Sequence, residues 1–377
     1  MEHNLTIGTY LSNTRAEDDN WIMNYVGDFR NAPRMVNVSY IDNNGETQNY
    51  SSTGFISGSQ TSNRYHKSTK TAIYLADEIK GDVFSLDIGL RWERAEGVIS
   101  RETGVGSNTY QKGRVDASDF AIAVAGLYKL SSSVNLYANA SKGYFFPELR
   151  GVSFSAPGQP QSYETEKIYQ GELGAKIATN KFTATAAIFL TNLNDRRSVD
   201  FENDGQGGVR EVVNVQSTST LGFEGLINYY LTDGLSVNGS LTFQDHEFTE
   251  VESNPEQEGN WLRRQPKVKG TVGLNYDKNK FDFDVSSTFL GKRFANDANT
   301  VELESYNIVR LGAGYTFGLG SESESLRLGV SVFNLLDSEG ITEGSPRQGN
   351  AQTGNSDYFV GRPILPRRIS LRALFTF

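Results

Sequence analysis

The sequence predicts an all-β chain folded as a transmembrane antiparallel β-barrel, and three observations carry that expectation. Apolar and polar residues alternate in segment after segment along the 377 residues. The connections between these segments are alternately short and long. The last segment ends on the aromatic Phe377 and keeps one greasy face to its end.

Alternation is the signature of a strand, because successive side chains leave opposite faces. Phe84, Leu86, Ile88, Leu90 and Trp92 share one face, against Ser85, Asp87, Gly89, Arg91 and Glu93. Val268, Gly270, Val272, Leu274 and Tyr276 oppose Lys267, Lys269, Thr271, Gly273 and Asn275. Phe281, Phe283, Val285 and Phe289 oppose Asp282, Asp284, Ser286 and Thr288. The segments around 235–244, 309–317 and 326–332 repeat the pattern. Burying such polar faces unpaired in a dry core costs several kcal/mol per charge. A wet lumen removes that cost, so lipid outside and water or a plug inside is the consistent arrangement.

In chain order the strands are expected near 4–12, 66–80, 82–95, 118–130, 133–144, 163–178, 181–196, 209–230, 235–248, 264–277, 280–293, 303–317, 325–336 and 366–377. That is about fourteen, an even number as bacterial barrels require. Short turns fall at Gly81, Ser131-Ser132, Thr179-Asn180, Thr232-Asp233-Gly234, Lys278-Asn279 and Gly318 to Glu324. Long connections cover 13–65, 96–117, 145–162, 197–208, 249–263, 294–302 and 337–365. Short periplasmic turns opposite long extracellular loops are the barrel pattern, and a sandwich or propeller has no reason to sort its loops so. The C-terminus then lies on the periplasmic side. The loop 13–65 is long enough for its own hairpin, with Met35 to Ile41 and Gln48 to Ile56 flanking the turn Asp42-Asn43-Asn44-Gly45. Tyr128, Tyr137, Tyr144, Tyr229, Tyr230, Tyr276, Tyr315 and Phe317 sit near strand ends, where interfacial girdles would place them.

Composition narrows the function classes. Mean hydropathy is −0.46 and no run of about 18 apolar residues exists, so no helix spans a membrane. The chain has no Cys, which excludes disulfide scaffolds and Cys-ligated metals. The net charge is −9 with no concentrated basic surface of the kind nucleic acid requires. The start Met1-Glu2-His3-Asn4-Leu5 has no basic and apolar leader, so the expectation is either a leader removed and replaced by Met1 or a chain that is a piece of something longer.

Several segments resemble the C-terminal barrel of TonB-dependent outer-membrane receptors. Leu136 to Leu149 is similar to the family strand ending in "SxGFRxPxL", with Tyr144 and Phe145-Phe146 replacing the aromatic–Arg pair. The role of that Arg is therefore not carried over. Leu221-Gly222-Phe223-Glu224-Gly225 resembles a "GxE" strand, and Arg264-Gln265-Pro266-Lys267 an "RxP" strand start. Val332 to Asp337 is similar to "VxNLFD", and Gly361-Arg362-Pro363 before the last strand to "GRPR". Five weak motifs in order, from about residue 66 to the end, make one strong resemblance. It implies one partial barrel domain over 1–377, the last fourteen or so of about 22 strands, without plug, TonB box or first strands. It also implies that the two edge strands lack their native neighbours. The implied place is the Gram-negative outer membrane. Ile369, Leu371, Phe375 and Phe377 would form the C-terminal insertion signal read by the barrel-assembly machinery. Other implied partners are outer-membrane lipid, a small extracellular solute, and the TonB complex through the missing plug only. A monomer is expected.

No catalytic pattern is present. His3, His66 and His246 lack metal-ligand spacing, and His246 with its acidic neighbours Asp245 and Glu247 reads as a solvated rim. Asp18-Asp19 lacks the ligand set of a Ca²⁺ loop, so neither metal nor cofactor is expected. Candidate ligand contacts are the loop aromatics and their Arg neighbours: Trp21, Tyr25, Tyr144, Phe145, Phe146, Trp261, Arg263, Arg264, Tyr358 and Phe359. Aromatic faces with bidentate donors suit siderophores, sugars and vitamins. On the lumenal face, Asp87, Asp282 and Asp284 are expected to pair with Arg91, Lys267 and Lys269. The expected function is a receptor barrel for TonB-dependent uptake of a scarce solute. The alternatives are a complete passive channel or hydrophobic-solute transporter of about fourteen strands, an outer-membrane hydrolase using His246, and a soluble adhesin.

Overall fold

Fourteen strands form one antiparallel sheet in simple chain order. They are β1 (Glu2–Asp18), β2 (Arg64–Lys80), β3 (Phe84–Glu102), β4 (Tyr110–Lys129), β5 (Val134–Phe145), β6 (Glu166–Ala178), β7 (Phe182–Asn203), β8 (Val209–Thr232), β9 (Leu235–Val251), β10 (Val268–Lys278), β11 (Phe281–Leu290), β12 (Tyr306–Gly318), β13 (Ser325–Phe333) and β14 (Arg368–Thr376). The computed structural model describes residues 1–18, 21–22, 26–28, 34–41, 45–50, 59–60, 63–149, 152, 154–160, 163–203, 209–320, 324–347 and 358–377. Each strand pairs with its neighbours in this order, and β1 and β14 are the two edges of the sheet.

At one end the connections are tight. Gly234 (φ 89°) and Asn279 (φ 61°) supply the left-handed residues that two of these turns require. The opposite end carries the long connections, as the sequence predicts. Several contain short hairpins: Val38–Ile41 with Thr47–Tyr50, Phe154–Ala156 with Gln159–Pro160, and Ile341–Arg347 with Tyr358–Pro363. The first of these turns through Gly45 (φ 82°).

Strand bounds depart from the expected ones mainly at the loop end. β1 continues to Asp18 rather than 12, β3 to Glu102 rather than 95, and β4 begins at Tyr110 rather than 118. There Arg94, Glu96 and Asp116 occupy the face that is apolar farther down and Ala95, Ile99 and Val115 occupy the other, so the apolar parity changes sides while the backbone ladder continues. In the later strands the reverse holds. β10 starts at Val268 rather than 264, because Pro266 cannot donate to a ladder and Arg264 is left-handed (φ 65°).

The pairing register separates two faces. Thr9, Ile73, Trp92 and Phe120 lie side by side across β1–β4, and Leu173, Ile188, Phe223, Phe243 and Val268 continue the apolar face across β6–β10. Aromatics pair at its margins: Trp92 with Phe120, and Phe223 with Phe243. At the turn end Phe84 pairs with Tyr128, Phe182 with Tyr229, and Phe281 with Tyr315. Tyr315 and Phe317 stack edge-on at 4.7 Å. Two aromatic belts bounding an apolar band are thus built by register. Three expected girdle residues are not in them: by alternation Tyr137 and Tyr230 belong to the polar face, and Tyr144 contacts the polar-face carboxylate of Glu93.

The polar face has a small core of its own. Residues that follow β5 cover part of β3 and β4: Leu149 packs with Ile99 and Val115, and Val152, Phe154 and Tyr163 pack against them. Gly97 and Gly113 make room for them: a Cβ on Gly97 would lie 2.6 Å from Leu149, and one on Gly113 would overlap Pro160.

Candidate functional site

The most elaborate group of functional side chains lies on the polar face where β1–β5 meet the residues that follow β5. Adjacent strands place Tyr10, Ala72, Glu93 and Asp119 in one row, with Tyr74 opposite Arg91 one step below. Glu93 is buried at 7% exposure, and Ala72 between it and Tyr10 is fully buried. Two neighbouring carboxylates repel unless each is neutralised. Arg91 donates to Glu93 Oε2 through Nε (2.9 Å) and Nη2 (2.7 Å). Tyr144 Oη donates to the same oxygen at 3.0 Å. Asp119 is held by Lys142 and by the Thr165 hydroxyl. The guanidinium of Arg91 also lies 5.4 Å from the Tyr10 ring and 5.9 Å from the Tyr74 ring. Such a stack orients a cation between aromatic faces.

Tyr74 and Tyr137 owe their positions to glycines. Tyr74 lies over Gly8 and Tyr137 over Gly174, each glycine directly across the ladder. A Cβ on either glycine would overlap the ring.

Phe146 is buried, edge-on to Tyr144 at 5.2 Å, with the Lys70 ammonium 5.4 Å from its ring. The Tyr163 hydroxyl donates to Pro147 O (3.0 Å), and burial pushes its pKa up to about 12. This corner offers polar and aromatic recognition surface, and its ionisable groups are committed to one another.

The structure divides the other expected contacts. Phe145 is exposed beside the buried Phe146. Trp261 packs edge-on against His246 (6.0 Å) and Phe294 (5.4 Å), under the Lys267 ammonium at 4.2 Å. Its backbone exchanges hydrogen bonds with the Asn299 side chain. Trp261 is therefore a loop anchor. His246 is not a solvated rim residue. It is fully buried and accepts the Leu262 N–H on Nδ1 (3.1 Å). Arg263 approaches Asp297 (3.5 Å), while Arg264 (2.8 Å) and Arg362 (3.2 Å) share Glu343, tying the 252–267 loop to the last hairpin. Phe359 lies in that hairpin over Gly344, and Tyr358 pairs with Arg347. Trp21 falls in a two-residue strand paired with Gln60, and Tyr25 lies outside the described residues. The candidates thus do not converge on one site.

The expected ion pairs are also re-assigned. Arg91 takes Glu93 rather than Asp87, Asp282 takes Arg327 (3.0 Å from Nε), and Lys267 takes Asp245. Missed altogether was Arg293, 1% exposed, which donates to Ile341 O (2.7 Å), Thr342 O (2.8 Å) and Glu304 O (3.2 Å). No local motif announces it, because its acceptors are main-chain carbonyls of remote loops. Arg91 and Glu93 did carry a signal: two opposite charges two residues apart share one face of a strand.

On the apolar face, Ile369, Leu371 and Phe375 are exposed along β14, as is Phe377 just after it; among the described residues β14 pairs with β13 alone, and Phe375 stacks on Phe377 at 5.8 Å.

Comparison with known proteins agrees with this architecture. Residues 3–335 match the family model described as TonB dependent receptor-like, beta-barrel. Among solved structures, the ferric citrate transporter FecA in its unliganded form superposes with a TM-score of 0.69 at 21% identity, over 100% of this chain and 51% of that one. The ferric yersiniabactin uptake receptor FyuA from Yersinia pestis gives 0.70 at 16% identity, over 100% and 51%. The ferripyoverdine receptor of the outer membrane of Pseudomonas aeruginosa gives 0.63 at 18%, over 100% and 46%. The chain spans about half the length of these solved proteins. The matched family is one of receptors and transporters rather than enzymes. With residues 3–335 matched and fourteen strands in simple meander order, the chain belongs to the TonB-dependent receptor-like β-barrel family.

Proposed function

We propose that the chain is the wall of an outer-membrane receptor that takes up a scarce solute, an iron chelate first among the candidates, with energy supplied through TonB and a plug. The observation that carries this reading is the two-faced wall. An apolar band between aromatic belts suits lipid, and the opposite face holds buried, mutually neutralised charges beside half-buried tyrosines. The solved relatives are named for ferric citrate, ferric yersiniabactin and ferripyoverdine, which favours ferric chelates over sugars or vitamins. In this reading the tight turns and the C-terminus are periplasmic, β14 is the strand that engages the assembly machinery, and a plug fills the space against the polar face. A closed fourteen-strand channel fits less well, since β1 and β14 stay unpaired with each other.

The test is uptake of a panel of labelled ferric chelates by cells that make the receptor. Deleting its gene, or TonB, should abolish uptake of one chelate. Transport that persists at full rate without TonB overturns the reading in favour of a passive channel.

A further inference from the structure

The long connections after β9, β11 and β13 are each tied to both of the others. Between the first and the second, the Arg264 N–H donates to Phe294 O (2.6 Å) and Asn260 Nδ2 to Asp297 O (3.0 Å), and Trp261 is edge-on to Phe294. Between the second and the third, Arg293 donates to Ile341 O (2.7 Å) and Thr342 O (2.8 Å). Between the first and the third, Arg264 meets Glu343 at 2.8 Å. We propose that Arg293 is a positioning residue, which locks these connections into one preformed rim against which the solute is captured.

Chemistry is the first argument. Arg293 is fully buried, and among the described residues its acceptors are main-chain carbonyls. One terminal nitrogen donates to Glu304 O (3.2 Å), on the far limb of its own connection. The other spans Ile341 O and Thr342 O of the last hairpin. The guanidinium also lies 5.2 Å from the Tyr306 ring. A rigid planar fork of N–H donors can hold both sides at once, which the single ammonium of a lysine does less well. A buried charge satisfied by carbonyls alone depends on every one of these bonds. Members of such a network support one another, so the rim loosens as a whole rather than bond by bond.

Rooting is the second. The first connection is pinned to the sheet where His246 accepts the Leu262 N–H. Leu303 pairs with Arg293 across the second, and Ala295 and Leu303 of the second and Ile364 of the third are buried. The connection after β5 is anchored elsewhere, through Leu149 on Ile99 and Val115 of β3 and β4. The clasp should therefore open without disturbing that corner.

The solute role rests on the receptor reading, so exchange and uptake are measured separately. The receptor is extracted from outer membranes in detergent, and amide hydrogen exchange is followed by mass spectrometry. In R293Q, protection should fall about tenfold at 259–265, 293–303 and 341–347 together, although the Arg293 bonds run to the second and third connections. Protection at Leu149 and Tyr163 should keep its wild-type level. Loss confined to 341–347 overturns the proposal. So does an equal loss at Leu149 and Tyr163, which would make Arg293 a residue of general stability. Cells are then given ferric citrate, ferric yersiniabactin or ferripyoverdine carrying radioactive iron. For the chelate taken up, R293Q should raise KM about tenfold and leave the maximal rate per receptor within about twofold. A lower maximal rate at unchanged KM overturns the positioning role. Wild-type cells that take up none of the three overturn the ferric-chelate reading, and the exchange pattern alone then decides the clasp. If R293Q does not reach the membrane, Trp261→Ala approaches from the other side. It should deprotect 341–347 through Phe294 and Arg293, and wild-type protection there overturns the proposal.

Discussion

The two faces of this one sheet follow opposite rules. On the apolar face, Trp92, Phe120, Leu173, Ile188 and Phe223 stand exposed. On the polar face a few angstroms away, Glu93 is buried and neutralised by Arg91 and Tyr144. An ordinary soluble core reverses this arrangement, because there the solvent is water on every outer surface. The difference teaches that exposure here must be read face by face. An exposed leucine on one face and a buried carboxylate on the other follow from a single strand alternation.

The largest break in this comparison is a charge on the lipid side. Leu173→Arg, midway along β6 and 64% exposed, should lower the folding free energy in vesicles by about 2–4 kcal/mol. Gln170→Arg, exposed on the other parity of the same strand, should change it by less than about 0.5 kcal/mol. Urea unfolding from vesicles reads both, and equal effects would mean that the faces are misassigned.

Next is the buried pair. Glu93→Ala leaves Arg91 and the Tyr144 hydroxyl without their acceptor and should cost about 3 kcal/mol. The double variant Arg91→Met, Glu93→Leu removes both charges and should recover most of that loss. A double variant no better than the single would show that the pair's geometry, rather than an orphaned charge, sets the cost.

The smallest effect concerns space. Gly174→Ala forces the Tyr137 ring off its seat and should cost about 1–2 kcal/mol. Gly89→Ala meets nothing within 4 Å and should be neutral or stabilise by a few tenths of a kcal/mol. The pair of measurements separates ring-over-glycine packing from the general cost of glycine in a strand.

How much of this was legible beforehand follows from which interactions are local. The alternation of Phe84 to Trp92 with Ser85 to Glu93 gives strand, face and polarity together, because a strand's period depends on nothing outside it. The alternation changed sides where Arg94 and Asp116 make the one face polar and Ile99 and Val115 make the other apolar, and there the strands ran longer than expected. The candidate site was less legible. Tyr144 and Phe146 stand out as aromatics, but nothing near them in the chain shows that one reaches Glu93 on β3 and the other is buried. Trp261 looked like a ligand contact because an aromatic beside two arginines is equally the composition of a loop clasp.

The sequence by itself determined the strand count, the sorting of short and long connections, the apolar parity and the family motifs. Each of these is written in spacing along the chain. Only the tertiary structure decided which charges neutralise one another, that His246 and Arg293 are buried, and that Tyr137 and Tyr144 leave the girdle for the inner wall. Those outcomes depend on register between strands, which is fixed by the whole ladder and by the turns that set it, and no single segment contains that information.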